Sequence, residues 1–192
     1  MPIKADKLSS QHLMLLYETD GARDGAAINY INKALEEGQF ALYASVNVKD
    51  TRHMKRITSK IRHYRRHLEQ GNLLVVNLHL FYQRALSANL EPFYDLKAML
   101  EAILKERIAA GKRRKATVVA DCADQLSRNE KFDECIIVER WWHNTYSEWL
   151  DRNVNITVVC PHPNIVLGQE TFMRNKQQLS ELHSLTISAI SK

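Results

Sequence analysis

Residues 12–45 read HLMLLYETDGARDGAAINYINKALEEGQFALYAS and predict a strand, a helix and a second strand in that order. The apolar run at 12–17 is typical of a buried strand, and apolar side chains recur at helical spacing between Ala27 and Leu35. Gly38 follows this pattern at the place where helices commonly end in the left-handed conformation. A strand at 40–46 comes next, so the unit predicts two parallel strands joined by a crossover helix.

The same alternation continues to the end of the chain. Gly71 and Gly111 each end a helical pattern before an apolar segment. Further strands are predicted at 73–80, 116–120, 155–160 and 184–190, further helices at about 133–150 and 170–182, and a surface loop at 82–93. Several strands are apolar on both faces, which is expected when helices cover both sides of a sheet. The sequence therefore predicts a three-layer α/β domain with a mainly parallel central sheet.

Composition favours one soluble domain. The chain has 192 residues, of which 45% are hydrophobic, so residues 1–192 are expected to form a single domain with a core at about 10–190. No apolar run approaches the roughly 20 residues that a membrane span needs, and the first ten residues lack the apolar core of a secretory signal. The three cysteines are widely spaced, which favours free thiols and a cytoplasmic location.

Positive charge is concentrated in one stretch, the basic segment, within a helix predicted at about 52–69. The basic segment, residues 52–67, contains no acidic residue. Its seven basic residues are Arg52, Lys55, Arg56, Lys60, Arg62, Arg65 and Arg66. Such a cluster favours binding to a nucleic-acid backbone, because binding releases counterions, although the sequence contains no groove-reading motif. A solvated face, or pairing with acids of another subunit, is the alternative. The apolar stripe of this predicted helix, which includes Met54, Ile57 and Ile61, predicts docking on the sheet or on a second subunit.

Ligands of parallel α/β sheets usually bind beyond the carboxyl ends of the strands. The residues at the predicted strand ends are therefore the candidate ligand-binding residues: Tyr17, Glu18, Asp20, Arg23, Ser45, Asn47, Asp121, Asp124, Cys160 and His162. We expect Tyr17, Glu18 and Arg23 to surround a cavity, because they follow the first strand at the start of a helix.

The quoted stretch resembles the archaeal and bacterial methanogen/methylotroph sensory (MEDS) domain. The shared features are a His-apolar strand ending in Tyr-Glu, a helix ending in Leu-x-x-Gly, a strand with Leu-Tyr, and the later segments TVVADCAD and NITVVCPHP. The resemblance spans about 10–190 and is weaker at 49–92. It implies a degenerate relative of the RecA-like ATPases that include the circadian-clock ATPase, with the fifth strand between the first and the fourth. It also implies a sensory or signal-input role, and it supplies no catalytic site.

The residues at the start of the first helix disfavour ATP hydrolysis. A phosphate-binding (Walker A) loop needs G-x-x-x-x-G-K-[ST], whose backbone N–H groups and Lys hold phosphates while Ser or Thr holds magnesium. Residues 21–27 read GARDGAA, so the glycine spacing is one residue short. Ala26 and Ala27 stand in place of Lys and Ser or Thr, and Asp24 would repel a phosphate. We therefore predict no functional Walker A loop and no catalytic residues.

Thiol, imidazole and aromatic residues raise further possibilities. Cys160 and His162 could act as nucleophile and base, or His162 could join Cys122 and Asp121 in a soft metal site. No C-x-x-C or H-x-x-x-H spacing involves these residues, so neither a metal nor a cofactor is predicted. The adjacent residues Trp141 and Trp142 cannot face the same way, so one is expected to be partly exposed.

These observations favour a non-catalytic sensory or regulatory domain. It would bind a small molecule or a signalling protein at the carboxyl ends of the sheet, as a monomer or a homo-oligomer, without contacting membrane. The alternatives are a nucleic-acid or anionic-partner binder acting through the basic segment, and an enzyme with a non-standard Asp/Cys/His site.

Overall fold

Six strands and nine helices alternate along the part of the chain that the structure, a computed structural model, describes, residues 10–189. The strands are β1 Gln11–Tyr17, β2 Phe40–Ser45, β3 Leu73–Asn77, β4 Lys115–Ala120, β5 Asn155–Pro163 and β6 Leu185–Ser188. The helices are α1 Asp20–Glu36, α2 Thr51–Thr58, α3 Tyr64–Glu69, α4 His79–Ala85, α5 Glu91–Ala109, α6 Cys122–Arg128, α7 Phe132–Asp151, α8 Asn164–Leu167 and α9 Met173–Glu181. The end of the last predicted strand, Ile190, lies outside the described residues.

All six strands form one parallel sheet in the order β3-β2-β4-β5-β1-β6. The fifth strand therefore lies between the first and the fourth, the arrangement expected of a RecA-like sheet. The predicted fold class, a three-layer α/β domain with a RecA-like parallel sheet, is confirmed. All strands end at one edge of the sheet, here called the carboxyl edge.

Two separate apolar layers cover the faces of the sheet. Successive residues of β1 divide between them, because side chains alternate along a strand. Leu13 and Leu15 join α1 and the Ile57 side chain of α2 on one face. Met14 and Leu16 join the other face, where α5, α6 and α7 contribute large buried side chains such as Trp149. Helices on both faces explain why the central strands are apolar throughout.

The helix predicted at 52–69 is two helices, α2 and α3, separated at residues 59–63. Asn32 of α1 stabilises the break: its side-chain amide donates to the Lys60 carbonyl at 3.1 Å, and its carbonyl oxygen accepts from the Arg62 N–H at 2.9 Å. His63 then adopts a left-handed backbone, with φ of 52°. The apolar stripe nevertheless packs on the sheet as predicted, with Ile57 and Ile61 buried.

The connection predicted as a surface loop at 82–93 is largely helical, so that prediction is wrong. β3 ends at Asn77, earlier than predicted, and α4 begins at His79. The rings of Phe81 and Phe93 pack edge to face, with centroids 5.1 Å apart. This contact and the burial of Ala85 hold α4 against α5, so the connection between them spans only residues 86–90.

Both adjacent tryptophans of α7 are buried, contrary to the expectation that one is exposed. Trp141 and Trp142 are 5% and 2% accessible. Trp141 packs on Phe93 and Tyr94 of α5, and Trp142 lies near Trp149. α7 can bury both because it packs against the sheet and α5 at once. No helix within residues 10–189 combines the length and apolar character that crossing a membrane requires.

Candidate functional site

The junction of β1 and α1 is too short to form a phosphate-binding loop. β1 ends at Tyr17 and α1 begins at Asp20, so only Glu18 and Thr19 connect them. The Thr19 hydroxyl accepts from the Ala22 N–H at 3.2 Å, which caps the helix. Asp20 places a carboxylate in the first turn, where the helix would otherwise attract an anion. A phosphate at this helix start would meet a negative charge.

Three arginines and three aspartates meet beside this junction. We call them the arginine–aspartate cluster: Arg23, Arg56, Arg128, Asp20, Asp24 and Asp124. Arg23, which is 6% exposed, lies at its centre. Its guanidinium donates to Asp24 at 2.9 Å and to Asp124 at 3.0 Å. The equal numbers of positive and negative groups leave the cluster without net charge.

The outer arginines complete the cluster from two other helices. Arg56 of α2 donates through Nε to Asp24 at 2.7 Å. Arg128 of α6 donates through Nε to Asp124 at 3.2 Å and also contacts Asp20. Both aspartates that bind Arg23 therefore have a second cation, and the two buried carboxylates are fully engaged.

Tyr17 joins the cluster from the end of β1. Its hydroxyl donates to Asp124, and the guanidinium carbons of Arg23 and Arg128 lie 5.9 and 5.3 Å from the ring centre. Burial, followed by the negative charge of Asp124, raises the pKa of Tyr17. The phenol thus stays protonated and donates to the carboxylate.

Asp121, at the end of β4, is occupied by contacts within the chain. One carboxylate oxygen accepts from the Ser45 hydroxyl at 2.5 Å, and the other accepts from the Val46 N–H at 2.8 Å. Burial raises the pKa of Asp121 to about 7, against the effect of these hydrogen bonds. RecA-like enzymes keep a metal-orienting acid at this position, but this carboxylate is directed into the protein and is partly protonated at neutral pH.

The structure brings some of the candidate residues together and separates others. Tyr17, Asp20, Arg23 and Asp124 meet in the arginine–aspartate cluster, and Ser45 contacts both Asp121 and the Asn47 N–H. Glu18 is exposed and accepts from the Asn164 amide. Tyr17 and Arg23 are buried by neighbouring side chains, so they do not surround the expected cavity. Their role in ligand binding stays a prediction.

A cavity of about 750 Å³ lies on the other side of α1. Small residues of the helix, Gly21, Ala22, Gly25 and Ala26, form one wall. The residues 187–189 at the end of β6 form the opposite wall, and Tyr30 and Asn29 add polar groups. The volume lies within the range of small-molecule sites, about 300–1,000 Å³.

Five ionisable side chains meet in a second place, between the sheet and α7. We call them the histidine cluster: His12 of β1, Glu139 of α7, Cys160 and His162 of β5, and His183 just after α9. All are buried. Glu139 lies at the centre, with one carboxylate oxygen 3.0 Å from His12 Nε2 and 3.1 Å from His183 Nε2. The other oxygen is 3.3 Å from His162 Nε2.

Backbone carbonyls fix two of these imidazole rings. His12 Nδ1 donates to the Leu182 carbonyl at 2.9 Å, and His183 Nδ1 donates to the Leu179 carbonyl at 2.7 Å. Burial would raise the pKa of Glu139, but the three histidines outweigh burial and lower it well below its ordinary value. Burial lowers the pKa of His12, whereas Glu139 overcomes burial and raises the pKa of His183. The carboxylate is thus ionised inside the core.

Cys160 and His162 were expected at the open edge of the sheet but lie inside this cluster. β5 continues to Pro163, three residues beyond its predicted end, so both residues are within the strand. Beyond Val159, β5 pairs only with β1. Pro161 and Pro163 are tolerated there because their missing N–H groups are not needed by a second neighbouring strand. His12, Glu139 and His183 were not among the predicted site residues. The one signal in the sequence was His12, a lone histidine in an apolar strand.

The basic segment is mostly exposed on α2, α3 and the turn between them. Two of its arginines have acidic partners, since Arg56 pairs with Asp24 and Arg62 pairs with Glu36. The exposed remainder is Arg52, Lys55, Lys60, Arg65 and Arg66. A surface cavity of about 440 Å³ lies between the two helices, and its lining includes Lys55, His63, Arg65 and Arg66.

The sequence matches no protein-family model and no curated protein. Among solved structures, this chain is similar to the flagellar accessory protein FlaH from Methanocaldococcus jannaschii, with 13% sequence identity and a TM-score of 0.49. The similar region covers 97% of this chain and 78% of FlaH. The fold assignment rests on the strand order and connections described above.

Proposed function

We propose that this protein is a non-catalytic sensory or regulatory domain on a RecA-like scaffold. The observation that carries the proposal is the arginine–aspartate cluster, which lies beside the junction of β1 and α1, where a RecA-like ATPase would have its phosphate-binding loop. Three of the five N–H groups of Arg23 donate to Asp24 and Asp124, and the cluster has no net positive charge to offer a nucleotide. The RecA-like fold is therefore present without the groups that would hold Mg·ATP.

Two further features support a regulatory role over catalysis. The resemblance to the MEDS domain points to signal input, and the finer family assignment is part of this proposal. Burial also raises the pKa of Cys122, Cys135 and Cys160, so without a bound cation each thiol stays protonated and lacks the thiolate that a cysteine nucleophile needs. A small molecule with little charge would fit the cavity between α1 and β6, whose lining side chains are small, apolar or neutral.

Phosphate release from Mg·ATP tests the proposal. We expect no steady release from wild-type protein after stringent repurification, because neither a phosphate-binding loop nor a free metal-orienting acid is present. The Asp121→Ala variant should behave in the same way. Release that persists through repurification and disappears in Asp121→Ala would overturn the proposal, because it would assign hydrolysis to this chain and to the end of β4.

A second candidate function is binding of an anionic partner through the basic segment. The observation that favours it is the open surface depression between α2 and α3, whose lining includes Lys55, Arg65 and Arg66. Backbone phosphates would bind there without sequence preference. Each lost phosphate contact on duplex DNA should reduce the slope of log affinity against log salt by roughly 0.9.

A gel-shift titration at two salt concentrations tests this second function. Changing Arg65 and Arg66 to Ala should weaken binding to all DNA sequences alike. Changing Lys112 and Arg113 to Ala is the matched control, because it removes the same charge from an exposed turn elsewhere. Equal loss in both double variants, or tight binding that does not respond to salt, would contradict a site on the basic segment.

A further inference from the structure

We propose that His12, Glu139, Cys160 and His183 bind one divalent transition-metal ion, with Zn²⁺ the best match. One possible donor atom from each residue lies within 4.8 Å of all the others, and all four residues are buried. This inference is independent of the regulatory function, since it rests on the core between the sheet and α7 and not on the carboxyl edge.

The spacing of the donor atoms matches the edges of a tetrahedron around zinc. Zinc bonds of roughly 2.0–2.3 Å place nitrogen or oxygen ligands about 3.3 Å apart, and nitrogen and sulfur about 3.6 Å apart. Glu139 Oε2 is 3.0 Å from His12 Nε2 and 3.1 Å from His183 Nε2. Cys160 Sγ is 3.5 Å from His12 Nε2. These three of the six separations are slightly shorter than the tetrahedral edges, and all six are within 4.8 Å, so small shifts of the donor atoms would form the site.

The two imidazole rings are oriented as metal ligands are. Their Nδ1 atoms donate to the carbonyls of Leu182 and Leu179, so the ring proton of each neutral histidine is on Nδ1. Each Nε2 then directs a lone pair toward the same carboxylate oxygen. Metal-binding histidines typically have this second hydrogen bond, which sets the tautomer and the ring direction.

Three buried polar atoms of the cluster make no well-directed hydrogen bond within the described residues, even though both histidine atoms lie within 3.3 Å of a Glu139 oxygen. They are Glu139 Oε1, His162 Nε2 and His183 Nε2. Leaving such atoms unpaired in the core is unfavourable. The carboxylate oxygen also repels the two nitrogen lone pairs that face it. A cation bound between Nε2 of His12, Nε2 of His183 and Glu139 removes this repulsion and satisfies the unpaired His183 atom.

Protonation alone is a poorer solution than a metal ion. A proton on His183 would pair with the Glu139 carboxylate, but it would leave the Nε2 lone pair of neutral His12 facing the same oxygen at 3.0 Å. A Zn²⁺ ion with the Glu139 carboxylate, a Cys160 thiolate and two neutral imidazoles has no net charge. A mixed sulfur and nitrogen donor set in a tetrahedron favours zinc over magnesium or calcium, which prefer oxygen ligands.

The number of protein ligands and their burial favour a structural or sensing role for the metal. Catalytic zinc sites keep a position open for water or substrate, whereas four protein ligands close the coordination sphere. The ligands come from β1, α7, β5 and the turn before β6, so the ion would join the two ends of the described chain. His162 lies 3.3 Å from the other oxygen of Glu139 and would position the carboxylate.

Metal analysis and cobalt substitution test the site. We expect one zinc ion for each freshly purified chain, by elemental mass spectrometry, and uptake of one Zn²⁺ or Co²⁺ after removal of metal by a chelator. The Co²⁺ form should show the intense visible bands of a tetrahedral site and a sulfur-to-cobalt charge-transfer band. Thermal unfolding of the metal-free protein should shift to higher temperature as Zn²⁺ is added.

Cysteine variants assign the site. Cys160→Ala should lose the charge-transfer band and bind Zn²⁺ at least about tenfold more weakly. The double variant Cys122→Ala/Cys135→Ala leaves Cys160 as the only cysteine and should keep the band, so the test does not depend on the folding of Cys160→Ala. Failure of metal-free wild-type protein to bind Zn²⁺ or Co²⁺ would overturn the proposal. So would Co²⁺ binding without sulfur ligation, or loss of the band in the double variant.

Discussion

Replacing Asp121 with Asn should stabilise the protein at alkaline pH and leave its stability little changed at pH 4. The pKa of Asp121 is about 7 in the folded protein, against an ordinary value of 3.8. Between these two values the unfolded chain has released the proton and the folded protein retains it. Stability due to this group is therefore fully present below pH 4 and is lost as pH rises through 7.

The size of the effect follows from the difference in pKa. At about 1.4 kcal/mol for each pKa unit, the roughly three units between the folded and unfolded values amount to at most about 4 kcal/mol. Asn cannot ionise, and its side-chain oxygen can still accept from the Val46 N–H. We therefore expect Asp121→Asn to unfold at a higher urea concentration than wild type at pH 8. The difference between the two proteins should decrease as the pH falls through 6.

Urea unfolding of both proteins at pH 5, 6, 7 and 8 measures this difference. Asp124→Asn is the matched control, because Asp124 is paired with Arg23 and Arg128 and its replacement should destabilise the fold throughout that range. If Asp121→Asn destabilised the protein equally at pH 5 and pH 8, then the folded protein would contain an ionised Asp121. That result would refute the argument that Asp121 is buried partly protonated.

Two further substitutions test the cluster and the packing of the basic segment. Arg23→Met should cost about 3–5 kcal/mol in urea unfolding, because it leaves buried Asp24 and Asp124 short of a cation, whereas Arg113→Met at an exposed position should change stability by less than about 0.5 kcal/mol. Equal effects would mean that Arg23 is not a buried partner. Ile57→Ala should cost about 2–5 kcal/mol in the same assay, and a cost near zero would show that α2 does not dock on the sheet.

The fold was predictable because its signals are local. Gly38, Gly71 and Gly111 were expected to follow helix ends, and all three have the positive φ that this position requires. The apolar strands and the helical stripes required only neighbouring residues. The break between α2 and α3 was not predictable, because the group that stabilises it, Asn32, is about thirty residues away in the chain.

The site was predictable only in part. The strand-end rule correctly grouped Tyr17, Arg23 and Asp124, but it could not show that they bind one another rather than a ligand. That outcome depends on Arg128, which reaches Asp124 from the next turn of α6, and on Arg56, which reaches Asp24 from α2. Arg56 was assigned to the basic segment, and Arg128 does not lie at a predicted strand end.

The histidine cluster shows a different limit. Metal sites are recognised in sequence by short spacings, whereas His12, Glu139, Cys160 and His183 come from four separate segments. The parallel pairing of β1 with β5 and with β6 brings the first and last strands of the described region to α7. No local pattern contains that information.

We propose that the arginine–aspartate cluster, through the Asp20 carboxylate, prevents phosphate from binding at the start of α1. A titration of Mg·ATP into isotope-labelled protein, followed by the backbone amide signals of Asp20, Gly21 and Ala22, tests this most directly. These amides begin α1, where a bound phosphate would have to lie. We predict no saturable shift of these signals up to millimolar nucleotide. Saturable shifts at these amides, with one nucleotide bound to each chain, would contradict the claim.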